Sequence, residues 1–392
     1  MSASARHYEI EQVSSVRDVA ADIWNGLLTD GDLFMRHEFL SALETSGCVG
    51  AGTAWRPCHL LARDVHGDTV GAMPLYWKHD SRGEFVFDWG WAEAYERAGL
   101  RYYPKLVSSV PFTPATGRRL LTRDSADSDS IGSALVAAAL KLAAEHDASS
   151  LHVLFPKAAE AGQFLESGFL ERKGCQFHWH NDGYSSFDDF LSRFSSEKRK
   201  KARRERRRVA EAGIEFERLR GNEPSDADWE AIYQFYARTF ARRGRAPYLN
   251  REFFATISRT QPESLVIILA RFRSQPIATA ICFRSADTLY GRYWGSLADF
   301  HSLHFEACYY QGIEYCIESG LQRFEPGTQG EHKISRGFRP TSTWSYHWLA
   351  NRGFHRAVGD FLAQETAHIG TYMDDLEEHV PYRRDLPRIS NS

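Results

Sequence analysis

No Cys-x-x-Cys pair occurs among the six cysteines, which stand at positions 48, 58, 175, 282, 308 and 316. That argues against a thiol-ligated metal site or a dithiol redox motif and leads us to expect reduced thiols in a cytoplasmic protein. No cysteine has a nearby residue that reads as its base, so none is taken as a nucleophile. Long apolar runs are also missing. The longest, LVAAALKLAA at Leu135 to Ala144, is broken by Lys141 and falls far short of a membrane span. The opening stretch MSASARHYEIEQ has no apolar segment of the kind a secretory signal carries, so none is expected. Charge of one sign is not in excess overall, with a formal net charge of -3.

Aromatic residues are abundant: ten Trp, seventeen Tyr and twenty-five Phe in 392 residues. They supply enough apolar surface for two cores of roughly 150–200 residues each and exclude global disorder. Against the near-neutral background, one block stands out. Nine of the eleven residues from Lys198 to Arg208 are basic: Lys198, Arg199, Lys200, Lys201, Arg203, Arg204, Arg206, Arg207 and Arg208, opposed only by Glu205. With Phe187, Phe190, Leu191 and Phe194 before it and Val209 after, the block reads as part of one helix of about twenty-five residues, with cations on every side. Such self-repulsion is relieved either by solvent or by a phosphate backbone.

The chain repeats itself. HEFL (His37 to Leu40), LLAR (Leu60 to Arg63) and GF (Gly168, Phe169), followed after eight residues by HW (His178, Trp179), recur as REFF (Arg251 to Phe254), ILAR (Ile268 to Arg271) and GF (Gly337, Phe338), again followed after eight residues by HW (His347, Trp348). Matches in the same order argue for two copies of one domain. We expect a first domain over 1–183, a basic connecting helix over 184–213 and a second domain over 214–392. The second copy reads strand (Ile214 to Leu219), helix, short helix (Asn250 to Thr260), three strands, helix ending at Gly320, strand (LQRFEPG), strand (TSTWSYHWL) and terminal helix (Phe354 to Val380).

That order resembles the GNAT acyltransferase fold, and two copies in tandem resemble the Fem-type transferases and the related Fem-like predicted N-acyltransferases. The strings that carry the resemblance run over nearly the whole chain: GEFVFDWGWAEAYERAGLRYYPKL, VPFTPATGRRLL, LYGRYWG, LHFEACYYQGIEY and RFEPGTQGEHKISRGF. The resemblance implies a mixed α/β fold of two tandem GNAT-like domains, each a mixed central sheet flanked by helices. It also implies transfer of an acyl group to an amine, with aminoacyl-tRNA as donor and a peptidoglycan precursor or a small natural-product amine as acceptor. In a GNAT domain the sheet splits between its fourth and fifth strands. The acyl group enters that gap, and direct attack by the amine needs positioning, an oxyanion donor and a base.

In the second copy those strands are LYGRYWG and RFEPG, so Tyr290, Arg292, Trp294 and Glu325 are expected at the gap. The following turn offers Gln329, Glu331, His332, Lys333 and Arg336. Glu325 or His332 is the expected general base, with Tyr290 beside it, and Lys333 and Arg336 the expected holders of a phosphate or carboxylate; the alternative is a surface turn. The helix LHFEACYYQGIEY should turn its N-terminus, with His304, Glu306 and Tyr309, to the same gap, although core packing is the plainer reading of the tyrosines. In the first copy Asp88, Trp91 and Tyr95 fit either an acceptor or nucleoside cleft or the closing of one domain against the other. Histidine pairs such as His301 with His304, or His178 with His180, lack a third ligand, so no metal is expected.

Acetyl-CoA-dependent members of the fold usually carry Gln/Arg-x-x-Gly-x-Gly/Ala after the fourth strand; GSLADFHSLHFE and TPATGRRLL do not match it. No tightly bound cofactor is expected, and aminoacyl-tRNA is favoured over an acyl-CoA or acyl carrier protein thioester. The expected tRNA contacts are Lys198, Arg199, Lys200, Lys201, Arg203, Arg204, Arg207 and Arg208. Fem-type enzymes carry a longer helical insertion in their second domain, where this chain has a short helix. A reading of a different class also stands: a catalytically silent GNAT-like module that binds a cell-wall peptide or RNA.

Overall fold

A computed structural model describes residues 8–29, 31–123, 125–297, 300–328 and 330–383. The chain divides into two units, and the division is not linear. The first comprises 1–174, 248–253 and 342–369; the second comprises 175–247, 254–341 and 370–392. The expected boundary near residue 183 is therefore displaced. The HW-bearing strands Leu170–His180 and Arg339–Leu349, eleven residues each, pass from one unit into the other.

In the first unit, Glu9–Val13, His59–Arg63, Thr69–Met73 and Leu121–Thr122 form an antiparallel sheet in that order. Helix Ser128–Glu145 lays Ile131, Leu135, Val136 and Ala139 into a core with Leu60, Ala62 and Met73. The helix then leads to strand Ser150–Leu154, which pairs in parallel with Lys105–Ser108.

The second unit repeats this plan. Ile214–Arg220, Leu265–Phe272, Gln275–Arg284 and Thr288–Ser296 are successive antiparallel neighbours. Helix Asp226–Ala241 starts at a capping box in which Ser225 and Asp228 satisfy each other's backbone N–H. It packs so closely that a Cβ on Gly295 would lie 2.1 Å from the backbone of Phe235. A helical segment from Leu303 to Ser319 ends at the left-handed Gly320 and returns the chain to Arg323–Glu325, parallel to Thr288–Ser296.

The basic run differs from the sequence expectation in three ways. It is not one helix of about twenty-five residues but two, Phe187–Ser192 and Ser196–Glu211, because Ser195 is extended and Phe194 is fully buried between them. It is not a free connector, because Phe187, Phe190, Leu191, Phe194 and Ala202 belong to the core of the second unit. Nor are its cations spread on every side: Ala202, Glu205 and Val209 define a buried inner face, and Arg206 turns partly inward.

Candidate functional site

The parallel ladder between Thr288–Ser296 and Arg323–Glu325 has three rungs and stops at Tyr290↔Glu325. Beyond it the chain leaves through Pro326 and the positive-φ Gly327, while the longer strand runs on to Ser296. Arg292 is the extra residue of a bulge on that strand's other edge, since Ile281 faces Tyr293 and Cys282 faces Gly291. Such bulges re-aim a strand. The two parallel strands therefore part at Tyr290 and Glu325.

Glu325 is 4% exposed, and neither carboxylate oxygen has a hydrogen-bond partner among the described residues. Arg323 Nε approaches Oε1 to 3.2 Å but outside hydrogen-bond geometry. Burial pushes the Glu325 carboxyl up to about 7 against the opposing pull of Arg323, and Asp287 adds to the rise. Burial likewise raises Tyr290 and lowers Arg292, both on the facing strand.

The turn after Glu325 folds back as a short helix, Glu331–Arg336. Gln329 lies outside the described residues. Lys333 is buried and donates from Nζ to the Gly327 carbonyl at 2.6 Å, which pins the loop; burial brings its ammonium down to about 7. His332 Nε2 and Tyr309 Oη share a 2.7 Å hydrogen bond. His304 stands edge-on to Tyr309 and to Trp294, at centroid distances of 5.5 and 5.3 Å. Burial, with His332, Arg336 and Lys333 nearby, lowers His304 to about 4, so it is neutral at pH 7; burial and Arg336 lower His332 as well. Tyr309 belongs to a π-helical turn, Glu306–Tyr310, inside the helical segment. Such turns recur at functional sites because they rotate side chains off the helical register.

Three expected substrate contacts are otherwise engaged. Arg336 is buried and bonded to Glu205 at 2.8 and 3.2 Å, so its charge is already neutralised. Lys333 is turned to its own loop rather than to an anion. Glu306 is buried against Arg206 at 3.1 Å and accepts from Gln311 Nε2 at 2.8 Å. The sequence places all three near the gap but cannot show partners as distant as Glu205 and Arg206. The lone acid inside the basic block is the sequence signal for Glu205, and Arg323, two residues before Glu325, is a further group at this point that the motif alone does not mark.

Asp88, Trp91 and Tyr95 belong to the first unit and are buried there. Tyr95 packs on Phe354 at 4.0 Å and Trp91 edge-on to His347 at 4.9 Å. Asp88 is buried in a polar cluster where it is bonded to Lys105 and accepts from Tyr102 Oη at 2.6 Å. Burial would raise it, but the Lys105 ammonium holds it down to about 2. His152 and His347 meet Nδ1 to Nδ1 at 2.7 Å behind it.

On the outer side of Ser196–Glu211, Glu197, Lys200, Lys201, Arg203, Arg204 and Arg207 line an open concavity of about 520 Å³. Arg203 also reaches Asp188 at 2.9 Å, and Arg208 Nη1 lies 3.3 Å from His301 Nε2. Lys198 and Arg199 are half-buried at the start of the helix. Five cations around one hollow form a strongly cationic surface with a single acid at its rim. No helix among the described residues is long and apolar enough to cross a membrane.

Residues 15–384 match the model of the FemAB-like family, described as peptidoglycan biosynthesis/recognition. The structure is similar to that of FemX, with a TM-score of 0.54 and 11% identity over 89% of this chain and 100% of that one. It is also similar to the C-terminal domain of a putative lysylphosphatidylglycerol synthetase from Agrobacterium fabrum, with a TM-score of 0.51 and 12% identity over 89% and 95% of the two chains. No curated protein matches the chain. At such identities the likeness is one of fold: mixed α/β, with two GNAT-like domains in tandem.

Proposed function

Because the chain belongs to the FemAB-like family, we propose that it is an acyltransferase that forms an amide on an amine acceptor in the split of its second unit. The observation that carries this reading is the buried carboxylate of Glu325, ion-paired at 3.2 Å with Arg323 but without a hydrogen bond among the described residues, at the point where the parallel strands part. A carboxyl near 7 at neutral pH is poised to take the proton of an attacking ammonium or amine. In the reaction the amine nitrogen bonds to the acyl carbon, the donor oxygen or sulfur departs, and the amine proton passes to Glu325. Backbone N–H groups of the parted strand Thr288–Ser296 are the natural donors to the developing oxyanion. His332, fixed by Tyr309 and kept neutral, and Trp294 and His304 form a polar-aromatic wall for the substrate.

The donor we favour is aminoacyl-tRNA, gripped by the basic concavity, and the acceptor a peptidoglycan-precursor amine or a small natural-product amine. Five cations on one helix face fit a phosphodiester backbone, whose counterions are released on contact. Binding of bulk tRNA across a salt series, compared between the wild-type protein and Arg203, Arg204, Arg207 and Arg208 all changed to Ala, tests this. Steep salt dependence lost in the variant supports tRNA. No binding at low salt removes it and turns the search to acyl-CoA and acyl carrier protein thioesters. A binding module without catalysis would keep its ligand affinity when Glu325 is changed to Gln and would show no turnover to lose.

A further inference from the structure

Glu205 is the one acid inside the basic block, it is 6% exposed, and it faces away from the concavity. Its Oε1 accepts from Arg336 Nη2 at 2.8 Å; its Oε2 accepts from Arg336 Nε at 3.2 Å and from Tyr310 Oη at 2.6 Å. Arg336 in turn donates from Nη1 to the backbone carbonyl of His332 at 2.6 Å and lies 3.4 Å from the centroid of the Phe305 ring. Phe305 packs against both His332 and Tyr309. The next residue along, Arg206, holds Glu306 at 3.1 Å and Glu314 at 2.9 Å, and Glu306 opens the π turn that presents Tyr309. Two consecutive residues of the basic helix are thus fastened to the two sides of the His332–Tyr309 wall, while the opposite face of the same helix forms the cationic concavity.

We propose that Glu205 is a positioning residue: through Arg336 and Tyr310 it sets the His332 turn in register with whatever the outer face of the helix holds. This rests on the acyltransferase reading for its functional consequence but not for its geometry. A buried ion pair adds little stability over an apolar pair of the same shape, yet it fixes one arrangement of the groups it joins. Here those groups are the basic helix, the His332 turn and the π turn. Misplacing a reacting group by about 1 Å costs about a hundredfold in rate.

The test compares Glu205→Gln, Tyr310→Phe and the double variant Glu205→Gln with Arg336→Gln, each checked by thermal melting, for turnover with bulk aminoacylated tRNA and for tRNA binding. We expect Glu205→Gln to lower kcat about 10- to 100-fold with tRNA affinity within about twofold of wild type. Tyr310→Phe should lower kcat less. The double variant, which leaves no unpaired buried charge, should recover its melting temperature but not its kcat. Recovery of kcat along with stability in the double variant would overturn the proposal, because Glu205 would then only neutralise Arg336. A readout independent of turnover is the NMR titration of His332, assigned by loss of its signal in His332→Asn. It should move further down in Glu205→Gln, where the Arg336 charge stands uncompensated beside it, and up in the double variant. An unmoved titration in both overturns the coupling even if the wild-type protein transfers nothing from tRNA. Absence of turnover in the wild type with a moved titration overturns the donor reading alone.

Discussion

Two buried glutamates in the second unit show how partners decide what a carboxylate does. Glu205 is met by a guanidinium and a phenol, whereas Glu325 is desolvated with neither oxygen hydrogen-bonded. The second arrangement is costly, and the cost has a sign. Glu325 is raised from 4.5 to about 7, so the folded protein keeps a proton that the unfolded chain has lost. Its contribution to stability is highest below about pH 4.5, falls as pH rises towards 7, and is level above that. Glu325→Gln should therefore be more stable than wild type at pH 8, by up to about 3 kcal/mol in urea unfolding, while losing about 10²- to 10⁴-fold in kcat. In the wild-type protein kcat/KM should rise with pH and level off above about 7, a limb that the Gln variant lacks in a pH–rate profile. The strand position of Glu325 was legible in RFEPG, and the structure sets it opposite Tyr290; Trp294, His304, Tyr309 and His332 touch one another in a separate cluster. The engagement of Lys333, Arg336 and Glu306 was not legible, since a sequence shows charge but not the opposing group; the partner of Arg336 is 131 positions away.

Helix Ser196–Glu211 shows the same limit in a segment that composition alone would call solvated. Its periodicity was hidden because Ala202, Glu205 and Val209, the inner stripe, include a charged residue, so no apolar face announces itself. The break at Ser195 was equally obscure, since Phe194 continues the apolar spacing of the helix before it. Strand Thr288–Ser296, by contrast, extends the expected LYGRYWG by only one residue at each end. That strand supports a sharp test of packing. Gly295 lies against the backbone of Phe235, where no side chain can swing aside, so Gly295→Ala must push helix Asp226–Ala241 off the sheet. We expect a loss of at least about 2 kcal/mol in chemical denaturation. Ser225→Ala at the start of the same helix removes a cap without moving anything and should cost about 1 kcal/mol.

Taken across the chain, the repeat in the sequence was a sound guide to the plan: the parallel pair joined by a helix occurs in each unit, and each GF…HW string lies at or just before a long strand. The described residues also include four histidines, His152, His178, His304 and His347, that burial holds well below their usual 6.5, with His152 at about 3 and His304 at about 4. Each stays neutral in the folded protein where the unfolded chain protonates it. Stability is thus unaffected by them above about pH 6.5 and is lost as pH falls below it, by up to about 5 kcal/mol per pH unit when all four take part. Unfolding free energies measured between pH 7 and 5 should show that slope, and His152→Asn with His347→Asn should flatten it.

The interleaved division of the chain has a further consequence for how genes of this kind can be recombined. Residues 342–369 and 248–253 count with the body built mainly from residues 1–174. A chimera made by one crossover at the midpoint between two diverged relatives would give each body a strand and helix inherited from the other parent. Crossovers in pairs, which carry the late segment along with the early one, are the exchanges that keep each body's inheritance whole. The two units share a plan, but neither is a single length of chain that could be exchanged whole.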